Sequence, residues 1–332
     1  MTAPSSPAPA RAAPPDVARV TALGHRFGEV EALRGINWSL PPGRLVALVG
    51  ANGAGKSTLL AILSGRLRPT AGTVLLFGAR PRPDGLELRR RISFSGQRPA
   101  LDPEMTGREL MQLFALLDGG PLETPGSRTV LDGLGLAEHL GRPVKAYSGG
   151  LRQRLHLAID AARHAELQLW DEPTSALDVR GRSFLWRHLV AEARSGKAVV
   201  VASHDLAAVE EHADEVLLLH RGRTLTVGPP APLVAEHGLE TLTFEVSAEA
   251  PAPAPPLAGL PGVVTFEWSS GKLQIACRDG ATAEGQVQHW LKSQGLAVRE
   301  VKHRQPDLAS VYFHLSSQPL AEPHRPGGRD EA

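Results

Sequence analysis

The chain has 332 residues, enough for one large domain or two smaller ones. Hydrophobic residues make up 42% and charged residues 21%, a composition that fills a globular core and excludes wholesale disorder. Lys+Arg is 36 against Asp+Glu 35, so no strong field is available for nucleic acid or anionic lipid, and no nucleic-acid partner is expected. The one cysteine, Cys277, excludes a disulfide framework within the chain and reads as a small buried apolar residue in a reducing compartment.

Residues 1–16, MTAPSSPAPARAAPPD, are Pro/Ala-rich with no apolar run of signal-peptide length, and a disordered tail is expected there. No segment of the chain approaches the roughly 18 consecutive apolar residues of a membrane helix. From residue 17 to about 235, short β-branched runs alternate with longer helical stretches. That alternation predicts βαβ units, an α/β fold and a mostly parallel sheet. The apolar runs Leu45–Val49, Ala198–Ala202 and 216–219 read as its strands. Residues 236–262 are expected to be linker, and the proline density of EVSAEAPAPAPPLAGLPG excludes a regular helix or central strand from 245 onward. Beyond it, strands at 263–267 and 273–277, a helix at 283–293, a strand at 298–302 and a helix at 307–315 predict a small C-terminal α+β domain over residues 263–316. Residues 317–332 are polar and expected to be loose.

The chemistry begins at LVALVGANGAGKSTLLAIL. Gly50, Gly55, Lys56 and Ser57 stand in the spacing G-x-x-x-x-G-K-[ST], after an apolar strand and before a helix whose buried face is Leu59, Leu60, Ile62 and Leu63. This is the pattern of a phosphate-binding loop. Gly50, Gly53 and Gly55 let backbone N–H groups turn inward around phosphate oxygens where side chains would block the approach. The helix starting near Lys56 points its positive end at the same oxygens. Lys56 adds a full charge at the β- and γ-phosphates, and Ser57 offers a hydroxyl to Mg²⁺.

A second strand, 167–170, leads into Asp171 and Glu172 in LQLWDEPTSALD. Ligands of open α/β sheets bind at the carboxyl ends of strands. Asp171 therefore lands near the Mg²⁺, and Glu172 can reach the attacking water as general base. Trp170 reads as core packing.

YSGGLRQRL, residues 147–155, opens a helix between the phosphate loop and the acidic strand. With this motif in that place, the chain resembles the ATP-binding subunits of ABC transporters over residues 17–235. The resemblance implies a P-loop NTPase fold with a helical subdomain over about 98–162. It also implies that Gln97 joins the catalytic core to that subdomain and senses Mg²⁺ and the nucleotide. Ser175, Ala176, Leu177 and Asp178 match a loop that crosses a dimer, and His204 matches a switch histidine at the γ-phosphate. Phe27 sits where the family places an aromatic under adenine, although taken alone such a residue reads more often as core than as a nucleotide platform. The nucleotide contacts implied are those of Gly50, Asn52, Gly53, Ala54, Gly55, Lys56, Ser57 and Thr58 from one subunit. Ser148, Gly149, Gly150 and Asp178 complete the set, with the Ser-Gly-Gly of the other subunit covering the γ-phosphate. The C-terminal segment, down to VREVKHRQPDLASVYFHL, resembles the tail of the drug-resistance-type exporter ATPases, with Leu308-Ala309 where that family usually has Leu-Glu.

The resemblance thus implies an ATP- and Mg²⁺-dependent ATPase, paired with a second copy of itself and docked on a separate multi-span membrane permease. It would lie on the cytoplasmic face of the membrane and drive export. The alternative is a non-transport ABC ATPase in a soluble or ribosome-associated regulatory complex. Ribosome-acting members generally carry two cassettes in one chain, and this chain has one.

Overall fold

The computed structural model describes residues 15–81, 85–96, 101–118, 125–175, 177–246, 257–269 and 271–317. The chain divides into two compact units, Met1–Val227 and Gly228–Ala332.

The first unit opens with strands β1 (Ala18–Phe27) and β2 (Val30–Leu40), then β3 (Leu45–Val49), helix α1 (Lys56–Leu63), β4 (Ala71–Leu76), α2 (Leu86–Arg90) and β5 (Ile92–Ser95). Helices α3 (Gly107–Asp118), α4 (Pro125–Gly133) and α5 (Gly149–Ala161) follow, then β6 (Leu167–Asp171) and α6 (Val179–Arg194). The unit ends with β7 (Ala198–Ala202), α7 (Leu206–His212), β8 (Glu215–His220) and β9 (Arg223–Gly228).

Its central sheet has six strands in the order β5-β6-β7-β3-β8-β9. The pairings β5–β6, β6–β7, β7–β3 and β3–β8 are parallel, as the alternation of strand and helix signals predicts. Strands β3, β6 and β7 are buried at every residue, which is why each reads as an apolar run rather than an alternation. Val46 and Leu48 pack with Leu59, Leu60 and Leu63 of α1 in one core. Full burial of each such side chain contributes about 1.5–3 kcal/mol before entropy is charged against it.

The N-terminal strands depart from the βαβ expectation. β1, β2 and β4 form a separate three-stranded antiparallel sheet in the order β2-β1-β4. Only Gly28 and Glu29 separate β1 from β2, with Phe27 opposite Val30. A parallel pair needs a crossover of a dozen residues or more, so so short a connection leaves only a hairpin.

The second unit contains α8 (Pro230–His237), β10 (Glu240–Val246), β11 (Val263–Ser269), β12 (Lys272–Cys277), α9 (Gly280–Ser293), β13 (Val298–Arg304) and α10 (Leu308–Ser317). Its four strands are antiparallel in the order β11-β12-β10-β13. Leu242, Phe244, Leu273, Ile275 and Cys277 pack on Ala283, Val287 and Leu291 of α9, so Cys277 is indeed a buried core residue. Two expectations are corrected here. The division between units falls at Gly228 rather than after residue 235. The stretch 236–262 is not all linker, because Glu240–Val246 pairs on both sides as an interior strand. Prolines exclude a strand only where they stand, and they begin at Pro251. Residues 247–256 and the two termini, 1–14 and 318–332, lie outside the described residues.

Candidate functional site

The site forms at the carboxyl ends of three adjacent strands, β6, β7 and β3. Their register aligns those ends: Leu48 is opposite Ala202, and Ala202 is opposite Asp171. The ladder continues one step past the strands, with Glu172 N–H donating to the Ala202 carbonyl (3.0 Å) and Ser203 N–H to that of Leu48 (3.2 Å). Residues far apart in sequence are thereby fixed on one edge.

From β3 the chain enters the phosphate loop. Gly53 and Gly55 take left-handed φ values of 79° and 107°. Gly50 needs glycine for a different reason, since a methyl there would lie 2.3 Å from the Leu219 carbonyl oxygen. Ala54 is buried, whereas Asn52, Gly53 and Ser57 are exposed around the loop. Lys56 is 7% exposed, and its Nζ donates to the carbonyls of Gly50 (2.6 Å) and Ala51 (3.3 Å). The ammonium is thus folded back across the loop it belongs to. Thr58 is the third residue of α1, whose N-terminus has no side-chain cap among the described residues. Its first N–H groups are available to an anion.

Asp171 ends β6 and is 6% exposed. Burial pushes its carboxyl above the usual range. A hydrogen bond from Ser57 and the charge of Lys56 oppose that shift, while the neighbouring Glu172 adds to it. Oδ1 of Asp171 is buried with no hydrogen-bond partner among the described residues. A buried, unpartnered carboxylate oxygen on a residue whose carboxylate also accepts from a serine hydroxyl is a ligand arrangement suited to a hard divalent cation.

Glu172 turns off the strand with φ of 52°, a conformation that costs a non-glycine residue about 1–2 kcal/mol. The turn carries its side chain to the end of β7, where Oε2 lies 2.7 Å from Nδ1 of His204. The Glu172 side chain is 14% exposed and that of His204 72%. The sequence reading identified both residues but assigned no contact between them; the contact follows from the adjacency of β6 and β7.

Ser148 caps α5, its Oγ accepting from Leu151 N–H at 3.2 Å, and Gly149 is exposed with Gly150 half-exposed beside it. Tyr147 is buried and donates its hydroxyl to the His139 carbonyl at 2.6 Å, so it anchors the start of the helix. Asp178 caps α6 through Gly181 N–H at 2.8 Å. Its other oxygen lies 3.4 Å from Arg154 of α5, tying the loop before α6 to the Ser-Gly-Gly helix. Arg154 is the residue missed by the sequence reading; the available signal was an arginine one turn past the helix start, on the face of Gly150. Phe27 is 53% exposed, open to a planar partner. Gln97 and Ala176 lie outside the described residues.

A phosphate cradle, a buried lysine, a cation-seeking aspartate and a glutamate–histidine pair at adjacent strand ends suit hydrolysis of a nucleoside triphosphate. Similarity to known proteins agrees. A family model described as ABC transporter matches residues 33–175. The daunorubicin resistance ATP-binding protein DrrA3 of Streptomyces coeruleorubidus is 32% identical over 294 residues, spanning 88% of this chain and 93% of that protein. The Nod factor export ATP-binding protein I of Ralstonia nicotianae is 30% identical over 305 residues, spanning 91% and 94%. A solved dimeric ATP-binding cassette in a post-hydrolysis state with ADP and Pi superposes with a TM-score of 0.56 at 27% identity, over 64% of this chain and 98% of that one. The chain belongs to the ATP-binding subunits of ABC transporters and is an ABC ATPase.

Proposed function

We propose that this ATPase works as a head-to-tail homodimer that powers export of a drug-like substrate through a separate multi-span membrane subunit, from the inner face of the membrane. Export is supported by relatives named for drug resistance and Nod factor export, whose similarity extends over about nine-tenths of the chain and hence into the second unit. Among the described residues no helix is long and apolar enough to cross a membrane.

In this reading the loop at residues 50–58 and Phe27 of one copy hold ATP. Gly149 and Gly150 of the second copy close over the γ-phosphate with the N-terminus of α5, where only one N–H is taken by the Ser148 cap. Ser57 and Asp171 would hold Mg²⁺, which would neutralise phosphate charge. Gln97 keeps the role of reporting that state to the helical subdomain.

The observation that carries the hydrolytic role is the Glu172–His204 contact at 2.7 Å. Glu172 accepts the proton of the attacking water, and His204 orients its carboxylate and reaches the γ-phosphate. Glu172→Gln keeps the shape and removes the base. Hydrolysis should fall about 10²–10⁴-fold while ATP binding persists. Full turnover in this variant would remove Glu172 as base. The stalled protein also tests transport: a multi-span membrane protein co-purifying with it supports the transporter reading, and ribosomal or soluble partners alone overturn it.

A further inference from the structure

Strand β1 carries two rings on one face. His25 and Phe27 meet edge to face, with centroids 4.5 Å apart and planes at 73°. Phe27 is 53% exposed and His25 only 5%. Both ring nitrogens of His25 are buried without a hydrogen-bond partner among the described residues. Leaving an imidazole in that state is unfavourable, so a merely structural position would favour an apolar residue.

The backbone is shaped to bring His25 inward. The register of β1 against β2 shifts on both sides of His25, and Leu23, Gly24 and His25 are buried in succession. Thr70 pins the irregularity: its hydroxyl donates to the Gly24 carbonyl (3.3 Å) and accepts from Arg26 N–H (3.1 Å). Across the hairpin His25 faces Leu33. Leu33 in turn packs against the phosphate loop, its Cδ2 2.7 Å from where a methyl on Gly55 would stand. One side chain therefore separates His25 from the phosphate cradle on one side, while Phe27 covers it on the other.

We infer that His25 is a positioning residue for the nucleoside: its ring fixes the tilt of Phe27, so that the outer face of Phe27 is presented to the adenine base. The inference rests on Phe27 as the base platform. Edge-to-face contact is the arrangement that ring quadrupoles favour. It holds an exposed aromatic in one orientation before ligand arrives, which lowers the entropy lost on binding.

The test is calorimetric titration of the full chain with Mg-ATP and, separately, with inorganic tripolyphosphate, which has no base. His25→Leu should weaken ATP binding by about five-fold, the worth of one aromatic pair. Tripolyphosphate affinity should be unchanged, and the melting temperature unchanged or raised. His25→Phe, which keeps an aromatic edge, should recover most of the loss. His25→Leu in a Phe27→Ala background should add nothing further. Wild-type ATP affinity in His25→Leu overturns the inference, as does equal loss for ATP and tripolyphosphate. If Phe27→Ala itself changes neither ligand, the platform reading fails and the inference falls with it. If Phe27→Ala selectively weakens ATP and His25→Leu does not, only the inference fails.

Discussion

Gly50 and Gly53 stand three residues apart in one loop and require glycine for different reasons. At Gly53 the φ of +79° is the demand, and a methyl would meet nothing within 4 Å among the described residues. Gly53→Ala should therefore cost about 1–2 kcal/mol, the usual penalty for a left-handed alanine. At Gly50 the methyl would stand 2.3 Å from the Leu219 carbonyl oxygen and 2.9 Å from Ala54 Cβ. Neither neighbour can rotate away, since one is the backbone of β8 and the other belongs to the loop itself. Gly50→Ala should cost about 3 kcal/mol or more, the upper end for an overpacked site. A unit of this size loses about 2–4 °C of Tm per kcal/mol. The expected shifts are therefore about 2–8 °C for Gly53→Ala and about 6–12 °C for Gly50→Ala, measured by calorimetry on nucleotide-free protein. A larger loss from Gly53→Ala would refute the reasoning, because it would mean that backbone conformation rather than the β8 contact sets the cost.

Lys56→Ala removes the one buried cation of the loop and should weaken ATP binding at least about ten-fold by titration; unchanged affinity would contradict its phosphate role. Ser148→Ala removes the cap of α5 and should cost about 1 kcal/mol of stability. Ser148→Arg should spare ATP binding by the monomer and abolish ATP-driven dimers in light scattering, and normal dimers would sink the head-to-tail arrangement. Burial, and then the charge of Arg66, push the His156 imidazole down to about 4, despite Asp160 Oδ2 at 3.3 Å from Nε2. The unfolded chain takes up this proton near pH 6.5, so it binds more protons than the folded chain between pH 6.5 and 4. Stability should fall across that window as pH drops, by about 3 kcal/mol in full. His156→Leu should flatten this slope in denaturation measured at pH 7, 6 and 5; parallel slopes in the two proteins would refute the assignment.

The parallel sheet was legible in the sequence because strands buried on both faces must be apolar throughout, as Leu45–Val49 and Ala198–Ala202 are. The phosphate loop was legible because its chemistry is local. The β1–β2 hairpin was less so. Its buried residues shift register at bulges, so Val20, Leu23 and His25 follow no fixed period. Strand β10 does alternate, with Leu242, Phe244 and Val246 inward, but the prolines that follow drew the expected linker back across it. The Glu172–His204 and Arg154–Asp178 contacts were not legible, since each depends on which elements become neighbours rather than on what any segment prefers.

The place of β3 between β7 and β8 has a consequence during synthesis. Both flanking strands emerge about 150 residues after β3, a delay on the order of ten seconds at ordinary ribosomal speeds. Until then LVALV offers two bare apolar edges to any neighbouring chain, which is the geometry that seeds aggregation. ATP cannot shorten the wait, because the carboxylates and histidine proposed to complete its site are translated on the same late stretch. The yield of folded protein should accordingly depend on translation speed and chaperone supply between β3 and β8 more than on nucleotide concentration.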